Sequence, residues 1–119
     1  MQKHAQTIVD LIPLKQGKLE AFQKFLAESI GPRRKEYCEM LARYGLKTTD
    51  VYLHKIKDVD VVIVVHQADS DAREKLKNFS TSDHPTEKWF AEELSKLFYF
   101  EPLNGEPQEA KSIFSFVPD

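Results

Sequence analysis

Two neighbouring runs of β-branched and aromatic residues constrain the fold of this chain more than any other feature. Residues 48–56 read TTDVYLHKI, and residues 60–67 read DVVIVVHQ. Residues of these types are enriched in strands because their side chains pack well on a pleated surface. Only Lys57, Asp58 and Val59 separate the two runs, and a link this short joins antiparallel neighbours. The sequence therefore predicts a β-hairpin here.

One strand and two helical segments are predicted before the hairpin. Residues 5–14, AQTIVDLIPL, alternate like a strand whose two faces are both largely apolar. Apolar residues then recur at three- and four-residue steps from Lys18 to Ile30 and from Tyr37 to Tyr44, which indicates amphipathic helices. Gly31-Pro32 lies between them, and proline interrupts a helix because it lacks an amide donor. We expect one long helix that is kinked or broken at this pair.

After the hairpin, the chain is predicted to form two short helices and a last strand. The first helix carries Leu76 and Phe79, and the second carries the apolar series from Phe90 to Phe98. Residues 101–111, rich in proline and glycine, are predicted as a loop, and Ser112 to Val117 as the strand. The order β-α-β-β-α-β predicts one α+β domain over residues 1–119, of the ferredoxin-like type with a four-stranded antiparallel sheet.

The strands have apolar residues on both faces, whereas helices would cover only one face. A monomer would leave a large apolar surface in water, and such a surface usually marks an interface. Packing of two sheets face to face would cover it, so the sequence predicts a homodimer.

Composition and charge narrow the classes of partner. A net charge of -2 gives no basic surface for nucleic acid. The N-terminal apolar stretch is interrupted by Asp10 and is too short for a signal or a membrane span, so no membrane partner is expected. The lone Cys38 suits a reducing compartment, and the cytoplasm is the expected location. No phosphate-binding loop or metal-ligand spacing is present, so neither a cofactor nor a metal is predicted.

Three segments together resemble a known family. They are RRKEYCEMLARYG leading into TTDVYLHKI, the strand DVVIVVHQADS, and STSDHPTEKWF with its aromatic pair. Their order is similar to that of the L-rhamnose mutarotase branch of the dimeric α/β barrel superfamily, and a branch of unassigned function is the expectation. The resemblance implies a homodimer that forms a dimeric α/β barrel and holds a small molecule. Tyr52 matches the family's strand tyrosine, and Trp89 with Phe90 matches its aromatic pair.

One position departs from that family. The mutarotases carry a histidine in the helical turn just before an Asn-Pro pair, and this chain has Ile30 before Gly31-Pro32. Isoleucine cannot transfer the proton that opening of a sugar ring requires. Two functions are therefore kept: a homodimeric small-molecule-binding protein, and a mutarotase-like or cofactor-free oxygenase-like enzyme acting on a small polar metabolite.

Tyr52, His54 and His66 are the candidate catalytic residues. Tyr52 and His54 project from one face of the second strand, and His66 from one face of the third. If these two faces coincide, a tyrosine and two histidines line one side of the sheet and suit proton transfer. The alternative is that the histidines lie near strand ends, in water or bonded to backbone. The register decides between them, since a slip of one residue reverses the faces.

Tyr52, Trp89, Phe90 and Arg33 are the candidate ligand-binding residues. Trp89 either closes a pocket between helix and sheet or belongs to the edge of the core. Arg33 begins a short basic run, and an arginine can hold a carboxylate or phosphate. The alternative for that run is a solvated helix face.

Overall fold

The computed structural model describes residues 5–99 and 112–118. This part of the chain contains three strands and four helices. In chain order they are β1 (Ala5–Pro13), α1 (Leu19–Ile30), α2 (Arg34–Arg43), β2 (Asp50–Ile56), β3 (Val59–Asp69), α3 (Ala72–Leu76) and α4 (Pro85–Leu97). The prediction of an α+β fold is confirmed. None of these helices is long and apolar enough to cross a membrane.

The strands form one antiparallel sheet in the order β1-β3-β2. The predicted hairpin is present, with Ile56 paired to Val59 and a turn at Lys57 and Asp58. Lys57 has a φ of 54°, in the left-handed region that tight hairpin turns use. The turn is therefore one residue shorter than the sequence suggested, and this shortening sets the register of every pair along the hairpin.

The helix before the hairpin is broken, as predicted, at Gly31-Pro32. α1 ends at Ile30 and α2 begins at Arg34. Phe22, Phe25 and Ser29 are the buried residues of α1, whereas Ile30 is 59% exposed because the chain turns away at this point. Ile30 ends the apolar series of this helix in the sequence but does not share its buried face.

The helices cover one face of the sheet, and two groups of buried side chains lie between them. The first group centres on Phe22, Phe25 and Val62, and the second on Ile8, Met40 and Phe79. Strand residues with even numbers in β1 and β3, including Ile8, contribute to this covered face.

The opposite face of the sheet is open. Leu11, Ile63 and Tyr52 form a row across all three strands on this face, since Ile63 pairs with both of the others. Leu11 is 49% exposed and Tyr52 is 57% exposed. The described residues thus leave an apolar sheet face in water, as the strand patterns indicated.

The prediction of a fourth strand is wrong for the described part of the chain. Residues 112–118 have no regular structure, and Ile113, Phe114 and Phe116 are largely exposed. Composition favours a strand only where a neighbouring strand offers backbone partners. This segment has none among residues 5–99 and 112–118, so the observed sheet has three strands. The loop predicted at 101–111 lies outside the described residues.

Candidate functional site

A cavity of about 110 Å³ lies between the sheet and the helices, where the two groups of buried side chains meet. Most of its lining is apolar and aromatic, with Phe22, Phe25, Phe79, Phe90 and Phe98 among the lining residues. Five residues with polar groups also line it: Asp10, Tyr37, Tyr44, Thr49 and His66. The cavity is partly open, and it is the candidate site of this protein.

The sheet places two of the polar residues side by side. His66 of β3 pairs with Ile8 of β1, and Asp10 pairs with Val64, the next β3 residue on the same face. Side chains at such diagonal positions on one sheet face are close enough to interact. Asp10 is a charged residue between two buried isoleucines, so the alternation of the strand itself puts a carboxylate on the covered face.

Hydrogen bonds fix the His66 ring at its Nδ1 side. Nδ1 is 3.1 Å from the carbonyl oxygen of Thr48 and 3.1 Å from Oγ1 of Thr49. The side chain of Thr49 also interacts with Tyr37 of α2 and partly offsets the effect of burial on the pKa of Tyr37. Thr49 therefore interacts with His66 of the sheet and with Tyr37 of a helix.

Burial keeps the side chains of His66 and Tyr37 uncharged. Removal from water lowers the pKa of His66, while the Thr48 carbonyl and the charges of Asp10 and Asp50 act against that effect. Burial likewise raises the pKa of Tyr37. Both groups are therefore neutral at neutral pH.

The structure separates the three candidate catalytic residues. Tyr52 pairs with Ile63 and His54 with Val61, so both lie on the open face. His66 lies on the covered face and lines the cavity. The hypothesis that the two strand faces coincide is wrong, because the two-residue turn pairs Ile56 with Val59 instead of Asp60.

The candidate ligand-binding residues are also divided. Phe90 lines the cavity on the covered side of the sheet, whereas Tyr52 lies on the open face. Arg33 and Trp89 do come together, with the guanidinium carbon 4.0 Å from the ring centroid. Arg33 also contacts Glu28 at 2.8 Å and Glu36 at 3.4 Å. These contacts give Arg33 a structural role between α1, α2 and α4.

Tyr37 and Thr49 were missed as site residues in the sequence. In the sequence Tyr37 belongs to an apolar helix stripe, and its hydroxyl group is the feature that distinguishes it from the other residues of that stripe. Thr49 precedes β2 and gives no signal of its own.

A partly buried ion pair holds α2 against the start of α4, beside the cavity. Arg43 donates to both carboxylate oxygens of Glu87, which is 1% exposed. Tyr44 donates a further hydrogen bond to Glu87 at 3.2 Å, and Ser82 donates another at 3.1 Å. Burial alone would raise the pKa of Glu87, but the hydrogen bonds and the charge of Arg43 outweigh it and lower the pKa.

Residues 5–99 and 112–118 contain no group of three His, Cys, Asp or Glu side chains placed to hold a metal ion. Comparison of the whole chain with protein-family models found no match, and comparison with curated proteins found none either. The chemistry of the cavity therefore carries the functional argument.

Proposed function

We propose that this protein binds a small, mainly apolar molecule in the cavity between sheet and helices, and that it does so as a homodimer. The observation that carries the binding proposal is the cavity itself, an apolar enclosure with polar groups at His66, Asp10, Tyr37 and Thr49. Binding sites for small molecules are commonly apolar clefts with a few polar groups that orient the ligand.

The volume limits the size of the ligand. An apolar cavity of about 150 Å³ holds benzene. This cavity, at about 110 Å³, suits a molecule of similar size or smaller. Its few polar groups cannot satisfy the many hydroxyls of a sugar, since unpaired polar groups are costly to bury.

Two substitutions on β2 test the site. Val51 lines the cavity, whereas Leu53 occupies the next position on the same strand face and does not. Val51→Phe adds a ring where the ligand would lie, and Leu53→Phe is the matched control. We expect a screen of small metabolites by NMR to find compounds that shift the signals of Phe90 and His66.

Val51→Phe should abolish those shifts and Leu53→Phe should preserve them. A screen in which no small apolar compound perturbs the cavity residues would refute the binding proposal. So would compounds whose shifts survive unchanged in folded Val51→Phe.

An enzyme is the second candidate function, and one observation favours it. A neutral histidine and a carboxylate lie on one wall of an apolar cavity, which suits general acid-base chemistry. Among the two enzyme types, a cofactor-free oxygenase-like activity on a small apolar substrate suits this lining better than a mutarotase-like one.

The mutarotase-like form has a direct test. Exchange between sugar anomers is followed by NMR in buffer, with the protein, and with the His66→Leu variant. Faster exchange that His66→Leu removes would support this activity. Exchange no faster than in buffer would eliminate it.

The homodimer proposal is supported by the open sheet face. Leu11, Ile63 and Tyr52 would be covered if the sheets of two copies packed face to face, as the resemblance to dimeric α/β barrels implies. Exposed apolar residues at 113–117 would supply further area.

Light scattering on matched variants tests the dimer. Ile63→Lys places a charge at the centre of the open face, and Ile30→Lys makes the same change at an exposed helix end. We expect twice the mass of one chain for the wild type and Ile30→Lys, and the mass of one chain for Ile63→Lys. A wild-type mass of one chain at micromolar concentration would contradict the proposal.

A further inference from the structure

The proton on the His66 ring can be placed from its hydrogen bonds. Nδ1 lies 3.1 Å from the carbonyl oxygen of Thr48, and a carbonyl oxygen can only accept. Nδ1 therefore carries the proton. Oγ1 of Thr49, also 3.1 Å away, then accepts from the same N–H.

This placement fixes the role of the other ring nitrogen. In a neutral imidazole with a proton on Nδ1, Nε2 has a lone pair and acts only as an acceptor. Burial lowers the pKa of His66, so the ring is neutral at neutral pH. The ring lines the cavity, and Nε2 is on the side of the ring away from Thr48.

The charge of Asp10 acts in the same sense. Its carboxylate lies on the same sheet face as His66, at a diagonal position. Its negative charge attracts the hydrogen of a donor group and repels anions. A ligand that offers only acceptor atoms would leave Nε2 unpaired in an apolar enclosure, which is unfavourable.

We infer that the cavity selects small apolar molecules that carry one neutral hydrogen-bond donor, such as a hydroxyl group, which donates to Nε2 of His66. This inference rests on the proposed binding function and adds the chemical class of the ligand. Anionic compounds and compounds with acceptor atoms alone are excluded from the class.

Cyclopentanol and cyclopentanone are matched probes for this selectivity. Both have the same ring and one oxygen, but only the alcohol can donate a hydrogen bond. Their affinities are measured at pH 8 by NMR titration of the cavity residues. We expect the alcohol to bind about tenfold more tightly than the ketone, because the alcohol makes a hydrogen bond to Nε2 and the ketone leaves Nε2 unpaired.

Two further measurements connect the preference to His66. In His66→Leu the ratio of the two affinities should fall to about one. In the wild type, lowering the pH protonates Nε2, which then donates, so the preference should reverse towards the ketone. Asp10, Asp50, Tyr37 and Tyr44 are the titratable groups around the ring, and both tyrosines are neutral throughout this range.

The outcomes separate this inference from the binding proposal. Equal affinities for the two probes at pH 8, with shifts confined to the cavity, would leave the binding site standing and overturn the donor requirement. A preference for the alcohol that persists in His66→Leu would also overturn it. If neither probe shifts any cavity residue, the binding proposal and this inference are both rejected.

Discussion

Removing Arg43 should reveal how much the ion pair between Arg43 of α2 and Glu87 of α4 contributes to the unfolding free energy. Arg43→Met keeps much of the aliphatic stem but leaves the carboxylate of Glu87, 1% exposed, without its cation. Loss of one partner from a fully buried pair costs about 3–5 kcal/mol, and the low end applies here because the Arg43 side chain is 32% exposed. Protonation of Glu87 limits the cost, since neutralising a glutamate at pH 7 requires about 3.7 kcal/mol. Tyr44 and Ser82 still donate to Glu87, so we expect a loss of about 3 kcal/mol.

The pH dependence of that loss follows from the pKa of Glu87. In the wild type this pKa is lowered, so its stabilisation is present above the unfolded value and is lost as the pH falls through the folded one. In Arg43→Met, burial without the cation raises the pKa of Glu87. Protonation of Glu87 at lower pH then removes the unpaired charge and reduces the loss of stability. The difference in unfolding free energy should therefore shrink from about 3 kcal/mol at pH 7 to about 1 kcal/mol near pH 4.

Urea unfolding at several pH values measures this difference. Arg34→Met, on the exposed face of the same helix, is the matched control and should change stability by less than about 0.5 kcal/mol. Adding Glu87→Gln to Arg43→Met removes the unpaired charge and should restore part of the stability. A loss below about 1 kcal/mol that is equal at pH 4 and pH 7 would refute the reasoning.

Two further predictions concern the backbone and His66. Gly45 has a φ of +71° and an added Cβ would lie 2.9 Å from Oδ2 of Asp69, whereas Gly17 has a φ of +76° and open space around it. Gly45→Ala should therefore lower the unfolding free energy by more than Gly17→Ala, whose conformational strain alone costs about 1 kcal/mol, and equal losses in urea unfolding would contradict this account. Because the pKa of His66 is lowered, the unfolding free energy of the wild type should fall as the pH drops below about 6.5. The fall with pH should be smaller in His66→Gln. Parallel plots of unfolding free energy against pH for the two proteins would show that His66 is not buried as described.

Most of the fold follows from local sequence patterns. Apolar periodicity and proline act over a few residues, so the hairpin, the broken helix pair and the two later helices are predictable, although α3 ends at Leu76 and leaves out Phe79. The strand at 112–117 was not found, since its formation depends on a neighbouring strand and not on its own composition.

The site was predicted only in part, for a reason of register. A three-residue link would pair Ile56 with Asp60 and put Tyr52, His54 and His66 on one face. The actual two-residue turn pairs Ile56 with Val59 and moves Tyr52 and His54 to the open face. Sequence patterns alone do not reveal that Lys57 adopts a positive φ. His66 and Phe90 remain in the site, and Tyr37 joins them through helix packing that acts over long sequence separation.

The most direct test of the account is the nitrogen spectrum of the His66 ring, recorded near pH 8 with and without cyclopentanol. Hydrogen bonding to Thr48 predicts a protonated Nδ1 and an unprotonated Nε2. Addition of the alcohol should then move the Nε2 signal, while Nδ1 changes little. A ring protonated on Nε2, or an Nε2 signal that does not respond to saturating cyclopentanol, would contradict the proposed role of His66 in the cavity.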